Sequence, residues 1–125
     1  MTARPELAAG VRDVMREVMA AADDRKALDL KAYDLTGLSD VTEYFILASG
    51  RSERQVEAIA EAILESLARR GRRPLHVEGL PAARWVLLDF ADFVVHVFEP
   101  ATREYYGLER LWRDAPDVTD ALRGC

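Results

Sequence analysis

The sequence predicts an α/β protein of the α+β kind: a single mixed sheet with helices packed mainly on one face. Three observations carry this. Two long stretches, about residues 5–23 and 52–70, repeat apolar residues at helical spacing. Several short runs are rich in β-branched and aromatic residues, as strands are. The elements follow in the order helix, strand, strand, helix, strand, strand, strand, helix, and one sheet layer accommodates them all.

The first helix opens at Pro5, a residue suited to a first helical turn. Leu7, Val11, Val14, Met15, Val18, Met19 and Ala22 then form its apolar stripe. Leu28 to Leu35 alternates, with Leu28, Leu30 and Ala32 on one side and Asp29, Lys31 and Tyr33 on the other, which predicts a half-buried strand. Residues 36–40 form a loop by composition. Tyr44 to Ala48 is a short, continuous apolar run, expected as a central strand buried on both faces. Ser52 with Gln55 fits a capping box, so the second helix begins there. Val56, Ile59, Ala60, Ile63, Leu64 and Leu67 form its stripe, and Gly71 stands just past its end. Pro74 to Glu78 reads as a short edge strand, because proline donates nothing to a ladder; Gly79 to Pro81 ends it. Thr102 to Trp112 reads as one or two helical turns broken at Gly107. The domain is placed at residues 1–113, with residues 114–125 as a weakly ordered tail ending in Gly124 and Cys125.

Trp85 to Phe98 reads as a hairpin with a two-residue turn at Phe90-Ala91. That turn predicts the pairs Asp89 with Asp92, Leu87 with Val94, and Trp85 with His96. Side chains alternate across a sheet, so Val86, Leu88, Phe93, Val95 and Val97 form one wholly apolar face. The opposite face carries Trp85, Leu87, Asp89, Asp92, Val94, His96 and Phe98. It is either a second buried side or an apolar patch with a polar border, and such patches mark interaction sites. With helices mainly on one side, it is expected to lie open.

The chain has 125 residues and a formal net charge of -5, with 50% hydrophobic and 31% charged residues. That balance suits one globular core. An acidic chain does not bind nucleic acid by bulk electrostatics, which needs Lys and Arg to displace counterions. The single cysteine, Cys125, excludes an internal disulfide and fits a reducing, cytoplasmic setting. Arg4, Glu6, Arg12 and Asp13 interrupt any targeting segment at the start. No apolar run approaches the roughly 20 residues of a membrane span.

Four groupings carry residue types suited to chemistry. The turn Ser49-Gly50-Arg51-Ser52, between a strand and a helix, is of the kind that holds phosphate in nucleotidyltransferases. Such enzymes also need paired carboxylates for metal, and the next strand offers only Glu78. Gly50 as a tight turn and Ser52 as a cap is the simpler reading. Asp89, Asp92 and His96 form a potential metal or acid–base group, though Asp commonly caps its own turn. Arg69, Arg70, Arg72 and Arg73 read as a solvated helix end rather than an RNA contact. Tyr105, Tyr106 and Trp112 read as lid residues over the core. These residues favour a binding protein without catalytic residues, cofactor or metal over an enzyme.

Asp40 to Phe45, Ser49 to Val56, Glu78-Gly79, Trp85 to Asp89, Asp92 to Phe98 and Tyr105 to Trp112 together resemble the ribosomal silencing factor, or Iojap-like, family. The likeness runs from about residue 10 to 115, with its elements in order. It implies a small cytoplasmic protein with a nucleotidyltransferase-like sheet but no transferase activity. It implies binding to the large ribosomal subunit through the fourteenth large-subunit ribosomal protein, which blocks joining of the small subunit and lowers translation under nutrient limitation. A homodimer in isolation is also implied, and neither membrane nor DNA binding is. Carried onto this chain, the partner-binding residues are Trp85, Leu87, Asp89, Asp92, His96, Tyr106 and Glu109. The family usually has Gly before the second Asp of the hairpin. Here the residue is Ala91, which is strained if the turn requires a positive φ.

Overall fold

A computed structural model describes residues 3–40, 42–80 and 84–122, with side chains from residue 10 onward. The side chain of Leu7, and Val41, Pro81, Gly124 and Cys125, lie outside the described residues. Among the described residues ten elements follow one another: α1 (Ala3–Asp24), β1 (Leu28–Asp34), β2 (Tyr44–Ser49), α2 (Glu53–Ala68), β3 (His76–Glu78), β4 (Trp85–Asp89), β5 (Phe93–Phe98), α3 (Pro100–Tyr106), α4 (Leu108–Leu111) and α5 (Thr119–Leu122).

The strands form one mixed sheet in the order β1-β2-β5-β4-β3. β2 and β5 run parallel, and every other neighbouring pair is antiparallel. The crossover from β2 to β5 carries α2, the connection a parallel pair needs. β3 is an edge strand, as Pro74 foretold, and β1 is the other edge.

The stripes of α1 and α2 pack on one face of this sheet. Val11, Met15, Val18, Val56, Ile59 and Ile63 meet Ile46, Ala48, Val86, Leu88, Phe93, Val95 and Val97 in one core. Each such side chain contributes about 1.5–3 kcal/mol when fully buried, so the apolar hairpin face decides which way β4 and β5 turn. At the start of α2, Ser52 Oγ accepts the Gln55 N–H at 3.2 Å. The return bond goes one residue further back than expected: Gln55 Oε1 accepts the Arg51 N–H at 2.6 Å. Gln55 Nε2 also donates to the carbonyls of Arg25 and Lys26, tying α2 to the end of α1. At the other end, Gly71 takes φ 80° and the Arg72 N–H reaches the Leu67 carbonyl at 2.9 Å, closing the helix as a glycine cap does.

Three expectations change. The turn of the hairpin is Ala91-Asp92, one residue later than predicted. The Phe90 N–H donates to the Phe93 carbonyl at 3.0 Å, and the Asp92 N–H to the Phe90 carbonyl at 3.1 Å. Trp85 therefore pairs with Phe98, Leu87 with His96, and Asp89 with Val94. Every pairing moves by two residues, an even number, so the two faces keep the membership the alternation assigned. Second, the face carrying Trp85 and His96 is not fully open. Val94, His96 and Phe98 are buried; Arg103 of α3 lies over the Phe98 ring at 6.0 Å and Tyr106 against Trp85 at 4.5 Å. Third, residues 115–122 do not trail away. The Asp34 N–H donates to the Pro116 carbonyl, and the Val118 N–H to the Ala32 carbonyl. Thr119 Oγ1 accepts the Ala32 N–H, and Leu122 joins the core. The exposed edge of β1 supplies those backbone partners, which composition alone does not reveal.

Candidate functional site

Trp85 begins β4 and stands on the face away from α1 and α2. Its indole lies 4.5 Å from the ring of Tyr106 in α3 and 5.7 Å from that of Phe98. Its N–H donates to Nδ1 of His96 at 3.0 Å. An indole only donates, so Nδ1 is unprotonated and the neutral ring carries its proton on Nε2. His96 is only 4% exposed, and burial pushes its pKa down to about 4. Nε2 has no protein partner among the described residues. Phe45 meets the imidazole edge-on at 4.9 Å, and Trp112 meets Phe45 edge-on at 6.0 Å.

Six aromatic rings thus surround one strand end, and Tyr106 among them reaches solvent together with its neighbours Tyr105 and Leu111. Tyr105 is 79% exposed, Tyr106 53% and Leu111 70%. Leu87 and Asp89 lie half-buried beside Trp85. This is an apolar surface with a polar border, carried on a rigid sheet.

The predicted site residues divide. Trp85, Leu87, Asp89 and Tyr106 are brought to this surface. His96 lies beneath it. Asp89 and Asp92 do not face one another: Asp89 Oδ1 accepts the Ala91 N–H at 2.8 Å, while Asp92 Oδ1 accepts from Arg72 at 2.9 Å. The turn reading of these acids is the one the geometry supports. No group of three potential metal-ligating side chains converges among the described residues.

Glu109 is turned inward. Its carboxylate accepts two hydrogen bonds from Arg103, at 3.0 and 3.1 Å, and one from Tyr33 at 3.1 Å. Arg103, 8% exposed, also donates to the Asp29 carbonyl and to Ser49 Oγ, both at 2.8 Å. The hydrogen bond from Arg103 holds the Glu109 carboxyl below its usual value. Burial, reinforced by the charge on Glu109, pushes the Tyr33 hydroxyl up to about 12. Sequence reasoning missed Arg103. Its one legible signal is Gly107, at φ 60°, which turns the chain so that Glu109 folds back on Arg103. Beside this pair lies a cleft of about 390 Å³, lined in part by Asp29, Ser49, Arg103, Gly107, Glu109 and Arg110.

The Gly50 turn serves the fold. A Cβ there would sit 2.8 Å from the Val56 nitrogen, so Gly50 permits a close helix approach. Glu78, the acid a transferase reading requires, lies on β3, three strands from β2. At about 4.8 Å per strand that is about 14 Å away. The basic cluster is largely spent on the fold as well. Arg69 pairs with Glu65, Arg70 with Asp13 and Glu17, and Arg72 with Asp92. Among the described residues no helix is long and apolar enough to cross a membrane.

Residues 8–123 match the family model described as ribosomal silencing factor during starvation. The chain belongs to the ribosomal silencing factor family. It is 44% identical over 105 residues to the ribosomal silencing factor RsfS of Bacillus subtilis (strain 168), covering 84% of this chain and 89% of that protein. It is 31% identical over 102 residues to the chloroplastic protein Iojap of Arabidopsis thaliana, covering 82% of this chain and 42% of the relative. A crystal structure of a Chromobacterium violaceum protein matches with TM-score 0.78 at 36% identity, covering 80% of this chain and 83% of that one. One from Bacillus halodurans matches with TM-score 0.76 at 39% identity, covering 85% and 96%. In this member of the ribosomal silencing factor family, the stretches that carry the resemblance build the aromatic surface: Trp85 to Asp89 and Asp92 to Phe98 its floor, Tyr105 to Trp112 its cover.

Proposed function

We propose that this chain docks on the large ribosomal subunit, through the fourteenth large-subunit ribosomal protein, and sterically blocks joining of the small subunit, lowering translation under nutrient limitation. The observation that carries this reading is the exposed aromatic surface around Trp85 and Tyr106 on a member of the ribosomal silencing factor family. Aromatic anchors bordered by polar groups supply most of the energy of protein interfaces. Trp85, Leu87, Asp89 and Tyr106 make the contact; His96, Asp92 and Glu109 hold the surface in shape. A net charge of -5 complements a basic partner and speeds encounter with it. The chain acts in the cytoplasm by occupying a surface and not by catalysis.

Sedimentation of purified large and small subunits, with and without the protein, tests this. The protein is expected to travel with the large subunit and to reduce the joined-ribosome peak. The double variant Leu87→Ala, Tyr106→Ala is expected to keep its circular dichroism spectrum and lose at least about tenfold in affinity. A protein that stays at the top of the gradient while joining proceeds sinks the proposal. Sedimentation of the protein alone, against concentration, tests the homodimer. The competing reading, a nucleotide site at Gly50–Ser52, is tested by melting with millimolar ATP and Mg²⁺: a bound nucleotide would raise the Tm, and no shift is expected.

A further inference from the structure

The cover over the sheet is attached unlike the rest of the molecule. α2 buries six of its residues, whereas α3 buries only Arg103 and α4 buries none. Ring contacts and a polar clasp hold α3 and α4 down. Tyr106 lies on Trp85, Trp112 on Phe45 and the Arg103 guanidinium over Phe98. The clasp is Arg103 reaching the Asp29 carbonyl on β1 and Ser49 on β2, and Glu109 reaching Tyr33 on β1. Both ends of the segment are pinned. It leaves β5 at Pro100, whose φ is fixed, and residues 116–118 bond to β1.

Beneath it, Phe45, His96 and Phe98 form a face of rings. The Nε2–H of His96 is buried there without a protein partner among the described residues. Little apolar burial and one polar clasp mark a segment of low local stability.

We propose that α3 and α4 form a lid, latched by Arg103, that opens as a unit while the sheet and the α1–α2 layer stay folded, uncovering the Phe45–His96–Phe98 face. Opening unseats Tyr106 from Trp85 and so remodels the exposed aromatic surface. The inference does not rest on the ribosomal reading.

Native-state hydrogen exchange on the full chain decides it. The amides of Gly107, Leu111 and Trp112 are hydrogen-bonded within the lid, whose helices of 7 and 4 residues are too short to persist once detached, so these amides exchange when it opens; those of β2 and β5 report the sheet. In the unmodified protein the lid amides are expected to exchange faster than the sheet amides, with weaker dependence on urea. Ile63→Val loosens α2 against the sheet without touching the lid. It is expected to speed the sheet amides about fivefold and leave the lid amides unchanged. Glu109→Gln weakens the latch in the closed state, from which both openings start, so both sets are expected to speed up by one common factor. The lid is refuted if its amides are as slow as the sheet's, or respond to Ile63→Val by the same factor. The latch is refuted if Glu109→Gln changes neither set.

Discussion

Trp85 and His96 lie diagonally across the β4–β5 ladder, and the indole N–H of one donates to Nδ1 of the other at 3.0 Å. The bond spans the boundary between what the domain buries and what it shows to solvent. His96 is the anchored, dry partner; Trp85 is the half-exposed one. Substituting Trp85 therefore disturbs the packing of the sheet as well as its surface, which is why Leu87 and Tyr106 are the cleaner probes of partner binding.

The pair makes stability depend on pH in a stated window. Burial lowers the His96 pKa to about 4 from an ordinary 6.5. Above pH 6.5 the ring is neutral in both folded and unfolded chains, and His96 adds no slope. Between the two values the unfolded chain binds a proton that the folded chain refuses, so stability falls as pH falls, by up to about 1.4 kcal/mol per pH unit. Urea unfolding at several pH values is expected to show this slope, and His96→Phe is expected to flatten it.

Ala91 sits at φ 79°, in a turn so tight that the Asp92 N–H bonds the Phe90 carbonyl. A side chain in the left-handed region costs about 1–2 kcal/mol, and glycine relieves this while adding some unfolded-state entropy. Ala91→Gly is expected to raise stability by about 0.5–1 kcal/mol, read as a higher urea midpoint at unchanged m-value. A lower midpoint would mean that the turn is not strained.

That residue also explains how far the sequence could be read. The alternation of Val86, Leu88, Phe93, Val95 and Val97 made the core face legible, because a register error of two residues leaves the faces intact. The register itself was not legible: a two-residue turn usually announces itself with Gly or Asn, and here alanine holds the strained position. Arg103 was illegible for a different reason. Its partners Ser49 and Asp29 lie 54 and 74 residues away, and no periodicity encodes a contact between a helical turn and two distant strand ends. The docking of Pro116 and Val118 on β1 was hidden likewise, since its bonds join backbone to backbone.

The Arg103–Glu109 pair is asymmetric, and so are its variants. The Arg103 side chain is 9% exposed and that of Glu109 39%. Glu109→Ala strands a buried guanidinium and is expected to cost about 3 kcal/mol. Arg103→Met leaves a carboxylate that solvent can still reach and keeps apolar contact over Phe98, so about 1–2 kcal/mol is expected. Because Arg103 holds the Glu109 carboxyl below its ordinary value, the stabilisation is present above the unfolded carboxyl range. It is lost as pH falls through the lowered value. Equal costs for the two variants in urea unfolding would mean that both groups are hydrated alike.

Gly79 and Gly71 separate two reasons for a glycine. Both have positive φ, at 96° and 80°. A Cβ on Gly71 meets nothing within 4 Å, whereas one on Gly79 would lie 2.0 Å from the Trp85 carbonyl oxygen. Gly71→Ala bears conformational strain alone and is expected to cost about 1 kcal/mol. Gly79→Ala adds a clash with backbone that cannot rotate away, so on the order of 3 kcal/mol or more is expected. The clash pushes on the residue whose indole holds His96. Gly79→Ala should therefore also raise the His96 pKa toward its free value, observable in the imidazole resonances, while Gly71→Ala should leave it in place. Equal costs, or an unmoved His96 in Gly79→Ala, would show that the backbone at Gly79 gives way without disturbing the aromatic surface.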